Sequence, residues 1–170
     1  SIKGVKLSYK ESILLSKEKP WGIILFKRNL KSLKQIKKLI AKIKYLTKNK
    51  KFPIMIDEEG STVTRLRNLI NHNITANYFG NLYAQDKFVC LSLFKQYLNS
   101  LCSLLKDLGI NINTIPVLDV LRPNTHKIIG KRSFSNKKKI VKELGKIAIK
   151  QLHKNMIAGV IKHIPGHGAA

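Results

Sequence analysis

Short unbroken apolar runs alternate along this chain with longer stretches in which apolar residues return every three or four positions. That alternation constrains the fold more than any other feature. The runs are Trp21 to Phe26, Phe52 to Ile56, Ile110 to Val117 and Gly159 to Ile161, with Gly4 to Leu7 as an earlier, weaker strand. A strand that is apolar on both sides needs cover on both faces, which a parallel sheet supplies. The intervening stretches read as amphipathic helices. In Ser32 to Leu46, Leu33, Ile36, Ile40 and Ile43 make one apolar stripe opposite a lysine face. In Lys87 to Leu108 the stripe is Phe94, Leu98, Leu101, Leu105 and Leu108, and Gly109 follows where a glycine closes a helix. A third helix, from about Lys137 to Lys154, turns Ile140, Leu144, Ile147 and Leu152 inward.

Strand then helix, repeated, builds a parallel sheet, either open and doubly wound or closed as a (β/α)8 barrel. The open form normally carries a glycine-rich turn after its first strand. Here Lys27-Arg28-Asn29 follows instead. A barrel gathers its functional polar residues at strand C-terminal ends, where Lys27-Arg28-Asn29, Asp57-Glu58-Glu59, Asp119 and Lys162-His163 all fall. The expected architecture is therefore α/β, an incomplete (β/α)8 TIM barrel. The 170 residues hold about the first four to five strands of a fold that takes roughly 250.

Three segments carry chemistry. Asp57-Glu58-Glu59-Gly60 sets three acids at the mouth of the sheet, able to bind a cation, grip sugar hydroxyls or act as acid and base, or simply to lie in a solvated loop. Lys162 and His163 follow a buried strand, so their side chains face opposite ways unless the backbone turns, and Pro165 with Gly166 and Gly168 supplies a turn. Pro165 also forbids the helical i, i+4 histidine pair that zinc sites use, so His163 and His167 are not read as metal ligands. Gly130-Lys131-Arg132-Ser133-Phe134 is a basic turn beyond Asp119.

The formal charge of +24 raises nucleic acid as a partner. The basic residues, however, are 28 lysines and only five arginines, beside 22 isoleucines and 13 asparagines. That combination is what the codon bias of an AT-rich genome produces, and the lysines are dispersed over helix faces. Nucleic acid is therefore not the expected partner. No run reaches the ~18 to 20 apolar residues of a membrane span, so no membrane is expected either. No basic segment leads into an apolar one at Ser1-Ile2-Lys3-Gly4, so no signal peptide is expected. Cys90 and Cys102, twelve apart in one helix, read as buried thiols.

Five segments together resemble family 3 glycoside hydrolases, in particular the bacterial β-N-acetylhexosaminidases: WGIILFKRN (Trp21 to Asn29), PIMIDEEGSTVTRL (Pro53 to Leu66), PVLDV (Pro116 to Val120), IGKRSF (Ile129 to Phe134) and KHIPGHG (Lys162 to Gly168). The resemblance implies that residues 1–170 are the N-terminal part of one catalytic barrel. It implies a GlcNAc-binding role for Asp57, Arg65, Arg132, Lys162 and His163, with no metal and no cofactor. Such enzymes are cytoplasmic, act in peptidoglycan recycling and release terminal β-linked GlcNAc from muropeptides or related glycans by a retaining mechanism. The resemblance further implies a monomer at full length, and an acid/base histidine and an aspartate nucleophile beyond Ala170. The chain by itself is then expected to be inactive and poorly soluble. One departure stands out: Ser61-Thr62 occupies the place of the family's usual Gly-Arg. The alternative is a non-catalytic sugar-binding or interaction module on a shortened barrel.

Overall fold

The computed structural model describes residues 1–71 and 73–168. Four strands, β1 (Ile23–Leu25), β2 (Ile54–Ile56), β3 (Ile112–Asn113) and β4 (Ala158–Gly159), form one sheet in the order β1-β2-β3-β4. Every neighbouring pair is parallel, with Ile23 beside Ile54, Met55 beside Ile112 and Ile112 beside Ala158. A doubly wound sheet reverses direction at a switch point. This one adds each strand on the same side of its predecessor, as a barrel does. The fold is a partial TIM barrel.

Among the described residues five α-helices cover the sheet: α1 (Tyr9–Lys17), α2 (Leu33–Leu46), α3 (Ala76–Gln85), α4 (Lys87–Leu108) and α5 (Lys138–Lys154). Their ends follow from local chemistry. The Ser32 hydroxyl accepts from the Gln35 N–H to open α2, and the Asp86 carboxylate accepts from the Val89 N–H to open α4. Gly109 closes α4 in the left-handed region at φ 87°, a conformation that costs glycine little. α1 starts with a full capping box, in which Ser8 Oγ accepts from the Glu11 N–H and the Glu11 carboxylate accepts from the Ser8 N–H.

α4 is long and apolar enough, by length and composition alone, to cross a bilayer. Its stripe of Cys90, Phe94, Leu98, Leu101, Cys102, Leu105 and Leu108 is nevertheless buried within the protein, where the helix packs against α2, α3 and α5. These residues join Leu25, Ile36, Ile43, Ile54, Ile56, Leu144 and Leu152 in one core. Each such side chain contributes about 1.5–3 kcal/mol on burial. Both cysteines are free thiols, and burial raises each to a pKa of about 11.

The structure departs from the sequence reading at several points. Residues 3–6 bend, and Gly4 to Leu7 makes no strand. The Gly4 carbonyl accepts from Asn29 Nδ2 (2.9 Å) and the Val5 carbonyl from Gln35 Nε2 (2.6 Å), so side-chain amides occupy the acceptors a ladder would use. Leu33 is exposed, and Leu39 joins Ile36, Ile40 and Ile43 in the core; the buried face is rotated away from the first turn. β3 spans only Ile112–Asn113 of the run Ile110 to Val117, and Pro116 within that run has no N–H to donate. Pairing resumes at Val117 with Lys162.

Candidate functional site

β2 ends at Ile56, and the three acids that follow take three different positions. Glu58 turns inward and has no exposed surface. Its carboxylate accepts from the backbone N–H groups of Arg65 (2.9 Å) and Leu66 (3.1 Å) and from the Thr64 hydroxyl. Its backbone is clasped from β3 by Asn113, whose side chain accepts from the Glu58 N–H (3.0 Å) and donates to the Glu58 carbonyl (2.9 Å). This carboxylate folds the loop back on itself and returns Arg65 to Asp57, eight positions earlier. Gly60, at φ 139°, sits where any side chain would lie 2.5 Å from the Ile74 carbonyl oxygen, so the loop admits glycine alone there.

Asp57 and Glu59 meet the basic residues. Arg65 Nη2 donates to Asp57 Oδ2 at 2.7 Å, and the Thr114 hydroxyl donates to Asp57 Oδ1 at 2.7 Å. Burial alone would raise the Asp57 carboxyl, but the Thr114 and Arg65 bonds and the Lys162 charge outweigh it and hold the group below its usual range. Arg65 also lies over the Phe26 ring, 5.7 Å from its centroid, and its Nε is buried with no hydrogen-bond partner. Glu59 accepts from Arg132 through both oxygens, at 2.8 and 3.0 Å, a bidentate fork. Lys162 pairs with Glu59 as well, lies 3.7 Å from Asp57 Oδ1 and donates to Thr114 Oγ1 at 2.8 Å. The Arg132 and Glu59 side chains are only 9% and 5% exposed. Stripping one partner from such a pair costs about 3–5 kcal/mol through the buried charge left behind. Beneath them lies a cavity of about 30 Å³ walled in part by Phe79, Phe94, Tyr97 and Phe134.

His163 completes the cluster. Its Nδ1 is 2.6 Å from Asp119 Oδ2 and its Nε2 is 3.4 Å from Arg132 Nη2. Asp119 further accepts from the backbone N–H groups of His163 (3.3 Å), His167 (2.7 Å) and Gly168 (3.3 Å). Burial pushes the Asp119 carboxyl up, and the His163, His167 and Gly168 bonds more than reverse that, leaving it lowered.

The five residues singled out in the sequence, Asp57, Arg65, Arg132, Lys162 and His163, thus converge on one rim from two strand ends, the loop after β2 and one turn. Lys162 and His163 both reach it although they are adjacent. Lys27-Arg28-Asn29 does not join them: Asn29 is buried and donates to the Ile2 and Gly4 carbonyls, while Arg28 donates to the Ile2 carbonyl and the Ser1 hydroxyl. That segment secures the N-terminal residues. Glu59, Thr114 and Asp119 belong to the cluster and were not among the five. Glu59 and Asp119 lay in motifs already quoted; Thr114 carried no signal, since a threonine inside an apolar run reads as strand filler. Four of the nine acidic residues in a chain of charge +24 meet here. Two carboxylates, Asp57 and Glu59, face three permanent cations, and the arrangement suits a neutral ligand rich in hydroxyls that both donate and accept. Among the described residues no cluster of histidine, cysteine or acidic side chains is arranged to hold a metal ion.

Residues 2–170 match the Glycosyl hydrolase family 3 N terminal domain. A beta-hexosaminidase of Xanthomonas axonopodis pv. citri (strain 306) is 32% identical over 169 residues, covering 98% of this chain and 49% of the relative. Native NagZ from Neisseria gonorrhoeae superposes with a TM-score of 0.89 at 31% identity, over 98% of this chain and 48% of that one. The same protein in complex with N-trifluoroacetyl-D-glucosamine gives the same TM-score and identity. The chain spans about half the length of the relatives it matches.

Proposed function

The chain belongs to glycosyl hydrolase family 3, and from that premise we propose that residues 1–170 are the N-terminal part of a β-N-acetylhexosaminidase barrel whose rim binds terminal β-linked N-acetylglucosamine. The observation that carries the reading is the convergence of Asp57, Arg65, Arg132, Lys162 and His163 on one side of the sheet. A carboxylate such as Asp57 accepts from two neighbouring hydroxyls, and Arg65, Arg132 and Lys162 donate charge-assisted bonds to sugar oxygens. The beta-hexosaminidase relatives and the neighbour solved with an N-acylated glucosamine support the same sugar.

In this reading the rim holds the non-reducing sugar of a muropeptide or similar glycan. Its binding energy orients the glycosidic bond for a two-step retaining hydrolysis by an aspartate nucleophile and a histidine acid/base that lie outside these residues. No metal or organic cofactor takes part. The setting is the cytoplasm and peptidoglycan recycling, and the full-length protein is a monomer. Titration of the chain with GlcNAc, followed by nuclear magnetic resonance, tests the reading. Shifts should concentrate on residues 57–66, 132 and 162–168 and vanish in Asp57→Ala. An unmoved rim at saturating sugar would remove it.

A further inference from the structure

A carboxylate only accepts hydrogen bonds and a guanidinium only donates them, and His163 is held between one of each. Asp119 Oδ2 lies 2.6 Å from its Nδ1, and Arg132 Nη2 lies 3.4 Å from its Nε2. We infer that Asp119 is a positioning residue that fixes His163 in the tautomer with its proton on Nδ1, so that Nε2 offers a lone pair at the rim. The purpose of this device rests on the sugar-binding reading above; its existence does not.

The opposite tautomer would set a bare Nδ1 lone pair against the carboxylate and an Nε2–H against the guanidinium. Two repulsive contacts would replace two attractive ones. The rest of Asp119 makes the carboxylate's position hard to change. Its oxygens also accept from the backbone N–H groups of His163, His167 and Gly168. Its carbonyl accepts from the Ser133 hydroxyl, next to Arg132 in sequence. One residue therefore holds both the loop that carries His163 and the turn that carries Arg132. The other charged or titratable groups near the imidazole are Glu59, which takes up the Arg132 fork, and the His167 ring, whose centroid is 5.0 Å away. The consequence for a ligand is directional. The sugar group that meets His163 must be a hydroxyl donating its proton, whereas those that meet Arg65, Arg132 and Lys162 must accept.

Long-range ¹⁵N correlation spectra of histidine-labelled chain, without sugar and at about pH 8, above the ordinary imidazole range, test this directly, with His163→Gln used to assign the signals. His163 should show a protonated-type shift at Nδ1 and an unprotonated-type shift at Nε2. In Asp119→Asn the amide must turn its NH₂ toward one of the N–H groups now satisfied, so the dominance of the Nδ1–H form should be lost while core methyl signals stay in place. A wild-type His163 protonated on Nε2, on both nitrogens or equally on either would overturn the inference, and so would an unchanged tautomer in Asp119→Asn. Should that variant fail to fold, the wild-type spectrum alone still decides. Adding GlcNAc separates the two readings. The sugar should move the Nε2 shift, and Asp119→Asn should weaken binding about tenfold or more. The expected tautomer with no sugar response would retain the role of Asp119 and remove the sugar.

Discussion

Glu58 shows how one buried carboxylate can set the geometry of the rim from beneath it. It accepts from Thr64, Arg65 and Leu66 and has no exposed surface. Replacing it with alanine leaves two backbone donors and a hydroxyl unsatisfied, and such losses in a buried network cost about 2–4 kcal/mol. Glu58→Ala should therefore lower the denaturant midpoint without changing the slope, and should release Arg65 from Asp57 so that sugar affinity falls as well. Asp57 and Asp119 add a pH dependence. Both carboxyls are held below their ordinary value of 3.8 in the folded chain. The unfolded chain takes up their protons first as pH falls, so their contribution is complete at neutral pH and is lost below about pH 4 as the lowered values are approached. Thermal melts across pH 2–6 should show that acid-side loss, and Asp57→Asn should reduce it. A flat acid limb in the wild type would contradict the pairing described here. At this scale the residue types at the rim were legible, because strand ends in parallel α/β folds collect polar groups. The division of labour among Asp57, Glu58 and Glu59 was not, since three consecutive acids look alike until a loop folds over one of them.

The helices divide along the same line. α2, α4 and α5 were visible because each carries a long apolar stripe, and for α4 the bounds Lys87 to Leu108 and the Gly109 cap stand as read. α1 and α3 were missed. α1 is nine residues long with Leu15 as its only buried side chain, so its one clear signal was the Ser8 to Glu11 capping box. α3 buries Phe79 and Gly80, too little for a stripe. Its position depends instead on close approach. A Cβ on Gly80 would lie 1.6 Å from the Phe134 carbonyl oxygen, in the segment just after Arg132. Gly80→Ala removes a flexible residue from a helix, which by propensity would help by roughly 0.5–1 kcal/mol. The backbone clash is the larger effect, and overpacking of this kind costs about 1–3 kcal/mol or more. The variant should be less stable in chemical denaturation and should disturb the Arg132–Glu59 pair. Stabilisation would mean that α3 and the Phe134 segment do not meet as described.

For the whole molecule, sequential strand order is the decisive property, because it brings the C-terminal ends of β1 to β4 to one rim. The chain of charge +24 keeps four of its nine acids there and its lysines largely outside. In the reading proposed above, residues 1–170 hold the sugar-binding rim, and the nucleophile and acid/base lie outside them. Incubating the 170-residue protein with nitrophenyl-GlcNAc should thus give sugar binding with no release of nitrophenol above background; measurable turnover would overturn that division. Periodicity by itself determined the alternation of strands and helices and hence a parallel α/β architecture, because burial on two faces and on one stripe leaves different repeats in the chain. Its motifs likewise marked which residues to watch. Only the tertiary structure decided that Asp119, Thr114 and Glu59 hold those residues in place, and that Lys27 to Asn29 stand apart. Hydrogen bonds between residues 44 to 73 positions apart leave no local pattern to read.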